Sequence, residues 1–225
     1  MQKKTTKQLV KLSEEFLSIQ GEPQSLGKSS YFVRFKGCNL HCDWCDTKYA
    51  SQPNNEEGGW ENCDNVIRRA LRSKAQQVVF TGGEPLLQRE ALAYMVRKLM
   101  EKGKEVEIET NGTFEPLNKF NIFPRYNVSP KLANSGNRKI DYKYLSEYPK
   151  AIFKFVISDK EDITRVKAFV GRHDLSAEKV YLMPEGDTLE KWRMKTMELL
   201  PHIIKSQYTL APRLHILPWD KKRGV

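Results

Sequence analysis

Short apolar runs rich in β-branched residues recur along the chain and alternate with segments of helical periodicity. Six of these runs are predicted as strands, at residues 31–35, 78–80, 106–108, 126–128, 152–157 and 180–183. Four other segments are predicted as helices, at residues 64–74, 90–102, 161–170 and 189–206. Because strands separated by helices pair in parallel, this alternation predicts an α/β fold with a mostly parallel sheet of about six strands.

Local signals refine the ends of these elements. Ser158, with Glu161 three residues later, predicts a capping box at the start of the third helix. The polar residues 51–59 predict a loop. Residues 8–19 fit both the helical and the extended period, so the pattern alone leaves them open. Residues 208–225 predict a strand followed by an irregular tail.

The composition is that of a globular protein with a strong positive charge. The 225 residues carry a formal charge of +10, and 39% of them are hydrophobic, which suits one domain spanning residues 1–225. Lysines and arginines are scattered and form no basic tract with interleaved aromatics, so we expect no nucleic-acid partner. No apolar run approaches the roughly 20 residues that cross a bilayer, and the basic start lacks the apolar segment of a secretory signal. We therefore expect no membrane partner and a cytoplasmic location.

Residues capable of chemistry follow four consecutive predicted strands. A cysteine cluster follows the first strand, and the other three strands are followed by TGGEP (81–85), ETNG (109–112) and SPK (129–131). The carboxyl ends of parallel strands meet at one edge of a sheet, where ligands bind. The four loops are therefore predicted to form one ligand site.

Three of the four cysteines, Cys38, Cys42 and Cys45, lie in one short loop. This spacing allows three thiolates to bind three corners of a cubane iron–sulfur cluster. The fourth iron then lacks a protein ligand and is open to a cofactor or substrate, like the open position of a catalytic zinc site. Cys63 could be a fourth cluster ligand or part of a zinc site with the other three cysteines, but it begins a helical segment and is interpreted as a small buried residue. A zinc site that uses His41 stays an alternative, although such sites usually show two separated ligand pairs.

The TGGEP segment has its own physical interpretation. Gly82 and Gly83 permit close approach of the backbone to a ligand, and the Glu84 carboxylate, with exposed backbone groups, can meet an ammonium. Gly-Gly alone is a common turn. Its place one strand after a cysteine loop makes a functional interpretation stronger.

The CxxxCxxC loop, the aromatic Trp44 before its last cysteine and the TGGEP strand end resemble the radical S-adenosylmethionine (SAM) superfamily. The resemblance implies a 4Fe–4S cluster on Cys38, Cys42 and Cys45, with the amino and carboxylate groups of SAM on the open iron. It implies that an electron from the cluster cleaves SAM to a 5′-deoxyadenosyl radical. It also implies the fold of that superfamily's reduced core, a partial, open β/α barrel of about six mostly parallel strands.

Further motifs narrow the resemblance: SIQGE (18–22), Arg34, CDT (45–47), TGGEP, ETNG and SPK. Together they are similar to the 7-carboxy-7-deazaguanine synthase family of queuosine and 7-deazapurine biosynthesis. The similarity runs from about SIQGE to residue 225 and is weakest between residues 134 and 148. Pro23 is a departure, because the family generally has glycine after QGE. The family's first segment is a strand, which favours extended structure for residues 8–19.

The narrower resemblance implies a carbon–nitrogen lyase that converts 6-carboxy-5,6,7,8-tetrahydropterin to 7-carboxy-7-deazaguanine with loss of ammonia. The adenosyl radical takes hydrogen from substrate C6, the substrate radical rearranges, and hydrogen is returned, so that SAM is regenerated. Magnesium assists this step, and Thr47 is implied as its ligand beside the substrate carboxylate and water. On residue type alone, an ordinary threonine capping a turn is the better explanation of Thr47, and only the CDT resemblance favours a metal ligand.

The resemblance also assigns ligand contacts. Those to SAM are implied at Trp44, Cys45, Asp46, Gly83, Glu84, Ser129, Pro130, Lys131, Met183, Pro184, Glu185 and Gly186. Those to the substrate are implied at Ile19, Gln20, Gly21, Arg34, Thr81, His215 and Val225. Arg34 suits a substrate carboxylate, and Val225 is expected to contribute its terminal carboxylate. A lone histidine such as His215 is otherwise explained as a core or rim residue.

Two other functions stay open. A glycyl-radical activating enzyme has the same cysteine spacing and a similar length but acts on a partner protein, and SIQGE and CDT argue against it. A structural zinc or RNA-binding module is the non-catalytic alternative. The partners implied by the resemblance are a small pterin substrate, a second copy in a homodimer, and a flavodoxin or ferredoxin as electron donor. The positive charge of the chain would suit such an acidic protein.

Overall fold

The computed structural model describes residues 8–52 and 57–225. The absence of a secretory signal, which concerns the first residues, and part of the predicted loop at 51–59 fall outside this range. The strands are β1 Leu9–Ile19, β2 Ser29–Phe35, β3 Gly59–Asn62, β4 Gln77–Gly82, β5 Glu105–Thr110, β6 Arg125–Val128, β7 Ala151–Ile157, β8 Val180–Pro184 and β9 Thr209–Leu210. The helices are α1 Lys48–Ser51, α2 Cys63–Arg72, α3 Arg89–Glu101, α4 Lys160–Arg172, α5 Leu189–Ser206 and α6 Ile216–Trp219.

The described strands form one sheet in the order β3-β1-β2-β4-β5-β6-β7-β8-β9. The pairings from β2 to β9 are all parallel, whereas β1 is antiparallel to both β2 and β3. Strands β3 and β9 are the two edges and do not pair, so the barrel is open. The predicted α/β class and open barrel are therefore confirmed. Beyond the six apolar runs, the sheet contains β1, where the resemblance favoured extended structure, and β9, the strand predicted at the start of residues 208–225. Strand β3 was not predicted.

The parallel strands are buried, and helices α2, α3, α4 and α5 pack against them. Val33, Phe80, Ile108 and Phe155 are fully buried on β2, β4, β5 and β7. All seven residues of β7 are buried, which is why its sequence reads as a nearly continuous apolar run. Helices α2, α3, α4 and α5 contribute their apolar faces to the same core.

Cys63 is the first residue of α2 and is fully buried in this core. Its side chain does not line the cavity at the other cysteines. The interpretation of Cys63 as a small apolar residue agrees with this position.

Two local predictions were wrong. Helix α4 is capped by Asp159, whose side chain accepts a hydrogen bond from the backbone N–H of Asp162, so the capping box at Ser158 does not form. The Ser158 hydroxyl instead donates to Glu185 at the end of β8. The segment after β9 is also less irregular than predicted, because it contains the short helix α6.

No helix within residues 8–52 and 57–225 is long and apolar enough to span a membrane.

Candidate active site

A cavity of about 1090 Å³ lies at the carboxyl ends of the parallel strands. Its wall includes most of the residues that the sequence singled out: Ile19, Gln20, Gly21, Arg34, Cys38, Cys42, Trp44, Cys45, Asp46, Thr47, Thr81, Gly83, Ser129, Lys131, Met183, Glu185, Gly186, His215 and Val225. Glu84, Pro130 and Pro184 do not line it. The four loops after β2, β4, β5 and β6 thus share one chamber.

The three cysteines of the loop after β2 are half-buried free thiols that face this chamber. Burial raises the pKa of Cys38 to about 11, so a metal must displace its proton to bind. Within the described part of the chain, no three His, Cys, Asp or Glu side chains converge on a point that one metal ion could occupy. In a cubane each thiolate binds a different iron, so three thiols that face one chamber suit such a cluster. His41, the residue of the zinc alternative, does not line this chamber.

The glycines of TGGEP make close contact with the backbone that leads into the cysteine loop. Gly83 donates its N–H to Phe35 O (3.1 Å), and the next residue donates to Gly37 O (2.8 Å). A Cβ at Gly83 would lie 2.0 Å from Gly37 O, and one at Gly82 would lie 2.3 Å from Phe35 O. Both positions therefore exclude a side chain, because the backbone of residues 35–37 lies too close. This reason is separate from the close approach of a ligand that the sequence predicted.

The Glu84 carboxylate does not face a ligand. It is fully buried and accepts hydrogen bonds from Leu86 N (3.0 Å), Thr110 Oγ1 (2.8 Å) and Asn111 N (2.7 Å). Burial raises its pKa. The carboxylate predicted to meet an ammonium instead joins the ends of β4 and β5, and its support of the site is indirect.

One wall of the cavity carries the residues that the resemblance relates to SAM. Lys131 Nζ donates to Ser129 Oγ (2.7 Å) and lies 5.3 Å from the centre of the Trp44 ring. Arg213 also lines the cavity, and its guanidinium donates to Gly186 O (2.5 Å) and to Asp46 Oδ2 (2.5 Å). Arg213 thereby joins the cysteine loop to the turn after β8, a role that no local sequence signal indicates.

A carboxylate that sequence analysis did not select faces the cavity beside Thr81. Glu109 accepts hydrogen bonds from Thr81 Oγ1 (2.7 Å) and from Gln20 Nε2 (2.9 Å). Gln20 Nε2 also donates to the buried Glu107 (2.7 Å), so both of its amide hydrogens are used within the protein. Glu109 is the first residue of the ETNG motif, but that motif was interpreted only as the end of a strand. No role was therefore assigned to the Glu109 side chain.

A buried ion pair was also missed. Lys154, in the middle of β7, donates to the Glu22 carboxylate, and both side chains face the cavity. Burial opposes ionisation of Glu22, yet the charges of Lys154 and Arg213 hold its pKa down at about 2. His215 lies in the same region, and its Nδ1 would be 1.9 Å from a Cβ at Gly21, so its ring packs directly against the SIQGE turn.

Arg34 and Thr47, predicted to contact substrate and magnesium, both line the cavity. Arg34 Nε donates to Glu14 (2.7 Å), and the same carboxylate accepts from Tyr49 (2.8 Å) and Arg223 (2.8 Å). Thr47 precedes α1, but its side chain makes no capping hydrogen bond. Its hydroxyl lies 3.7 Å from Cys45 Sγ, so the turn-capping explanation of this threonine is not supported.

An open parallel β/α barrel with a three-cysteine loop at the carboxyl edge defines a radical SAM protein, and the family model of the radical SAM superfamily matches residues 32–154. Such proteins use SAM and a 4Fe–4S cluster, and the cysteine chamber described above fits both. Within that superfamily, the chain belongs to the 7-carboxy-7-deazaguanine synthase family.

The relatives support this narrower assignment over nearly the whole chain. The 7-carboxy-7-deazaguanine synthase of Pyrobaculum aerophilum is 35% identical over 218 residues, which cover 96% of this chain and 97% of that protein. The synthase of Thermoplasma acidophilum is 38% identical over 222 residues, covering 95% and 99%. The crystal structure of QueE from Escherichia coli has a TM-score of 0.67 at 24% identity, covers 90% of this chain and 93% of that one, and shows the shared fold.

Proposed function

We propose that this enzyme converts 6-carboxy-5,6,7,8-tetrahydropterin to 7-carboxy-7-deazaguanine with loss of ammonia, in queuosine and 7-deazapurine biosynthesis. The observation that carries the proposal is that the cluster cysteines share one chamber with donors and acceptors suited to a carboxylated pterin. The names of the relatives support the same reaction. They do not favour a glycyl-radical activating enzyme.

Cys38, Cys42 and Cys45 would hold the cluster, which when bound would supply the electron for reductive cleavage of SAM. The chain's own residues position the reactants. Ser129, Lys131 and Trp44 form the wall on which we propose that SAM lies. The buried pair of Lys154 and Glu22 borders the chamber and fixes two opposite charges beside the reactants.

Polar groups of the wall match the two ends of the proposed substrate. Glu109 accepts hydrogen bonds only, so its cavity-facing lone pairs suit the N–H groups of the aminopyrimidine ring. Arg34 keeps guanidinium donors beyond the one used by Glu14, and these suit the substrate carboxylate. Gln20 acts through Glu109, because its amide hydrogens are already donated to two carboxylates.

Magnesium is proposed to bind at Thr47. The threonine hydroxyl is a hard oxygen ligand, it makes no capping hydrogen bond, and it faces the cavity next to Cys45. Magnesium usually keeps several waters and adds few protein ligands, so one hydroxyl, the substrate carboxylate and water would suffice.

The remaining elements of the proposal concern the termini, the assembly and the partners. Val225 lines the cavity and accepts a hydrogen bond from Ser18, which supports a contact of this residue with substrate.

We further propose one domain spanning residues 1–225, a homodimer, a cytoplasmic location, and a flavodoxin or ferredoxin as electron donor. The formal charge of +10 favours an acidic protein donor.

The direct test is anaerobic incubation of the reconstituted enzyme with the carboxytetrahydropterin, SAM, magnesium and dithionite, followed by mass spectrometry. We expect the deazaguanine product and ammonia, and no product from Cys42→Ala. A preparation with a full cluster that cleaves SAM but leaves the pterin unchanged, with or without a second protein, would contradict the proposal.

A further inference from the structure

Residues 134–137, which we call the strap, lie against the cysteine loop. Asn134 O accepts a hydrogen bond from Trp44 Nε1 (3.0 Å), and Ser135 O accepts one from Asp43 N (3.0 Å). The strap falls in the part of the sequence where the family resemblance is weakest, so no motif pointed to it. Two of its backbone carbonyls nevertheless hold two consecutive residues of the cysteine loop.

The last residue of the strap reaches a cluster ligand. Asn137 Oδ1 accepts a hydrogen bond from His41 N (3.0 Å), which fixes the orientation of the amide. Asn137 Nδ2 then donates to Cys42 Sγ at 3.3 Å. This is the shortest polar contact to any of the three cysteine sulfurs in the described residues; the others range from 3.4 to 4.0 Å.

The strap is itself held by the core of the fold. Asn134 Nδ2 donates to Val156 O (2.9 Å) on β7 and to the buried Asp162 (2.8 Å) on α4. Ser135 is fully buried, and its Oγ accepts a hydrogen bond from Asn137 Nδ2 (3.1 Å). The strap that carries the Asn137 amide is therefore anchored to β7 and α4.

Gly136 brings the strap close to the loop. Its φ is +78°, and a Cβ there would lie 2.3 Å from the Asp43 carboxylate. A Cβ would displace the Asp43 carboxylate, and the positive φ independently disfavours a side chain at position 136.

A hydrogen bond donated to a cluster thiolate withdraws negative charge from the sulfur and stabilises the reduced cluster, which carries one more electron. Hydrogen bonds to sulfur are among the factors that set cluster reduction potentials. We propose that Asn137 is a positioning residue that holds Cys42 and raises the reduction potential of the 4Fe–4S cluster. This proposal depends on cluster binding and not on the identity of the substrate.

The test uses anaerobically reconstituted wild-type enzyme and the variants Asn137→Ala and Asn137→Asp. Iron and sulfide are quantified, and the midpoint potential is measured by a redox titration followed by electron paramagnetic resonance. We expect a lower potential in Asn137→Ala. A larger decrease is expected in Asn137→Asp, which keeps the acceptor for His41 N but places a negative charge beside the thiolate.

Asn65→Ala is the control, because the Asn65 amide lies on α2, does not line the cavity, and donates to Glu61 Oε1 (3.2 Å) and not to sulfur. Its potential should equal that of the wild type. If Asn137→Ala loses iron while it stays folded and Asn65→Ala keeps iron, the result supports the positioning role.

Two results would overturn the proposal. One is a wild-type potential in either Asn137 variant with a full cluster. The other is equal loss of iron from the Asn65 and Asn137 variants, since the effect would then not depend on the contact with Cys42. Neither readout uses pterin turnover, so this proposal and the proposed reaction fail independently.

Discussion

At the scale of single residues, Lys154 and Glu22 form an ion pair with little exposure to solvent in the site. Lys154 lies in a strand whose other six residues are apolar and buried, and its partner is 132 positions away in the sequence. Removal of one member of a buried pair leaves an uncompensated charge, whereas removal of both leaves none.

We therefore predict that Glu22→Gln lowers the free energy of unfolding by about 3 kcal/mol. The double variant Glu22→Gln/Lys154→Met should recover most of this loss, because the buried charge is gone. Urea unfolding of the two single variants and the double variant measures the coupling. Additive effects in this cycle would mean that the two groups do not interact.

Glu107 predicts a pH effect. Burial raises the pKa of this carboxyl from 4.5 to about 7, with Glu109 adding to the rise and Ser25 and Gln20 opposing it through hydrogen bonds. Between about pH 4.5 and 7 the unfolded chain has lost this proton while the folded protein keeps it. Stability should therefore fall as pH rises through this window, by about 3 kcal/mol from this group.

Glu107→Gln removes the titration but keeps an acceptor for Gln20. We expect a flatter stability curve between pH 4.5 and 7, and a variant that is less destabilised than the wild type as pH approaches 8. Denaturant unfolding at a series of pH values measures the difference curve. Parallel curves for the two proteins would contradict the assignment.

At the scale of elements, the end of β4 is fitted to the backbone of β2. Gly83→Ala would place a Cβ 2.0 Å from Gly37 O and force the two strand ends apart. We predict a loss of about 3 kcal/mol in the free energy of unfolding and a lower iron content after reconstitution, because Gly37 directly precedes Cys38.

Gly171→Ala is the matched control for that prediction. Gly171 lies within α4, and no atom from outside its own stretch of helix would lie within 4 Å of a Cβ added there. This variant should be stabilised by about 0.5–1 kcal/mol through its better helix propensity and should bind iron normally. Equal behaviour of the two variants would show that the strand contact is unimportant.

The elements also show what the sequence could predict. The runs at 78–80 and 152–157 indicated strands because buried parallel strands are apolar on both faces. Strand β3 was missed because its four residues, GWEN, carry an exposed Trp60 and no apolar alternation. These residues form a strand because they pair with β1.

In the site, too, the sequence predicted local motifs but not contacts between distant residues. The cysteine loop and TGGEP were recognisable because their chemistry lies within a few consecutive residues. The contact of Asn137 with Cys42 joins residues 95 positions apart, and no local pattern reports such a contact. The role predicted for Glu84, contact with an ammonium, was wrong for a related reason. Its carboxylate is buried against the end of β5, and that contact between strands leaves no local pattern in the sequence.

At the scale of the whole molecule, the hydrophobic core and the cluster site are separate. The core cluster contains Cys63 but none of the three cysteines in the loop after β2. We therefore predict that anaerobic removal of iron with a chelator lowers the thermal midpoint by less than about 5 °C. This would differ from zinc fingers, which unfold without metal.

Hydrogen exchange measured on the same samples should locate the effect. Removal of the cluster should increase exchange in residues 38–47 and 134–137, and leave β4, β5 and β7 protected. Uniform loss of protection would show that the cluster supports the entire fold.

The cavity wall is built from distant parts of the chain, and this has a consequence for biosynthesis. Residues 38–45 leave a translating ribosome long before His215, Arg223 and Val225, which complete the cavity wall. A nascent chain thus exposes its iron ligands long before the pocket has all of its walls. A pterin has no complete pocket to enter until residues 215–225 have been made.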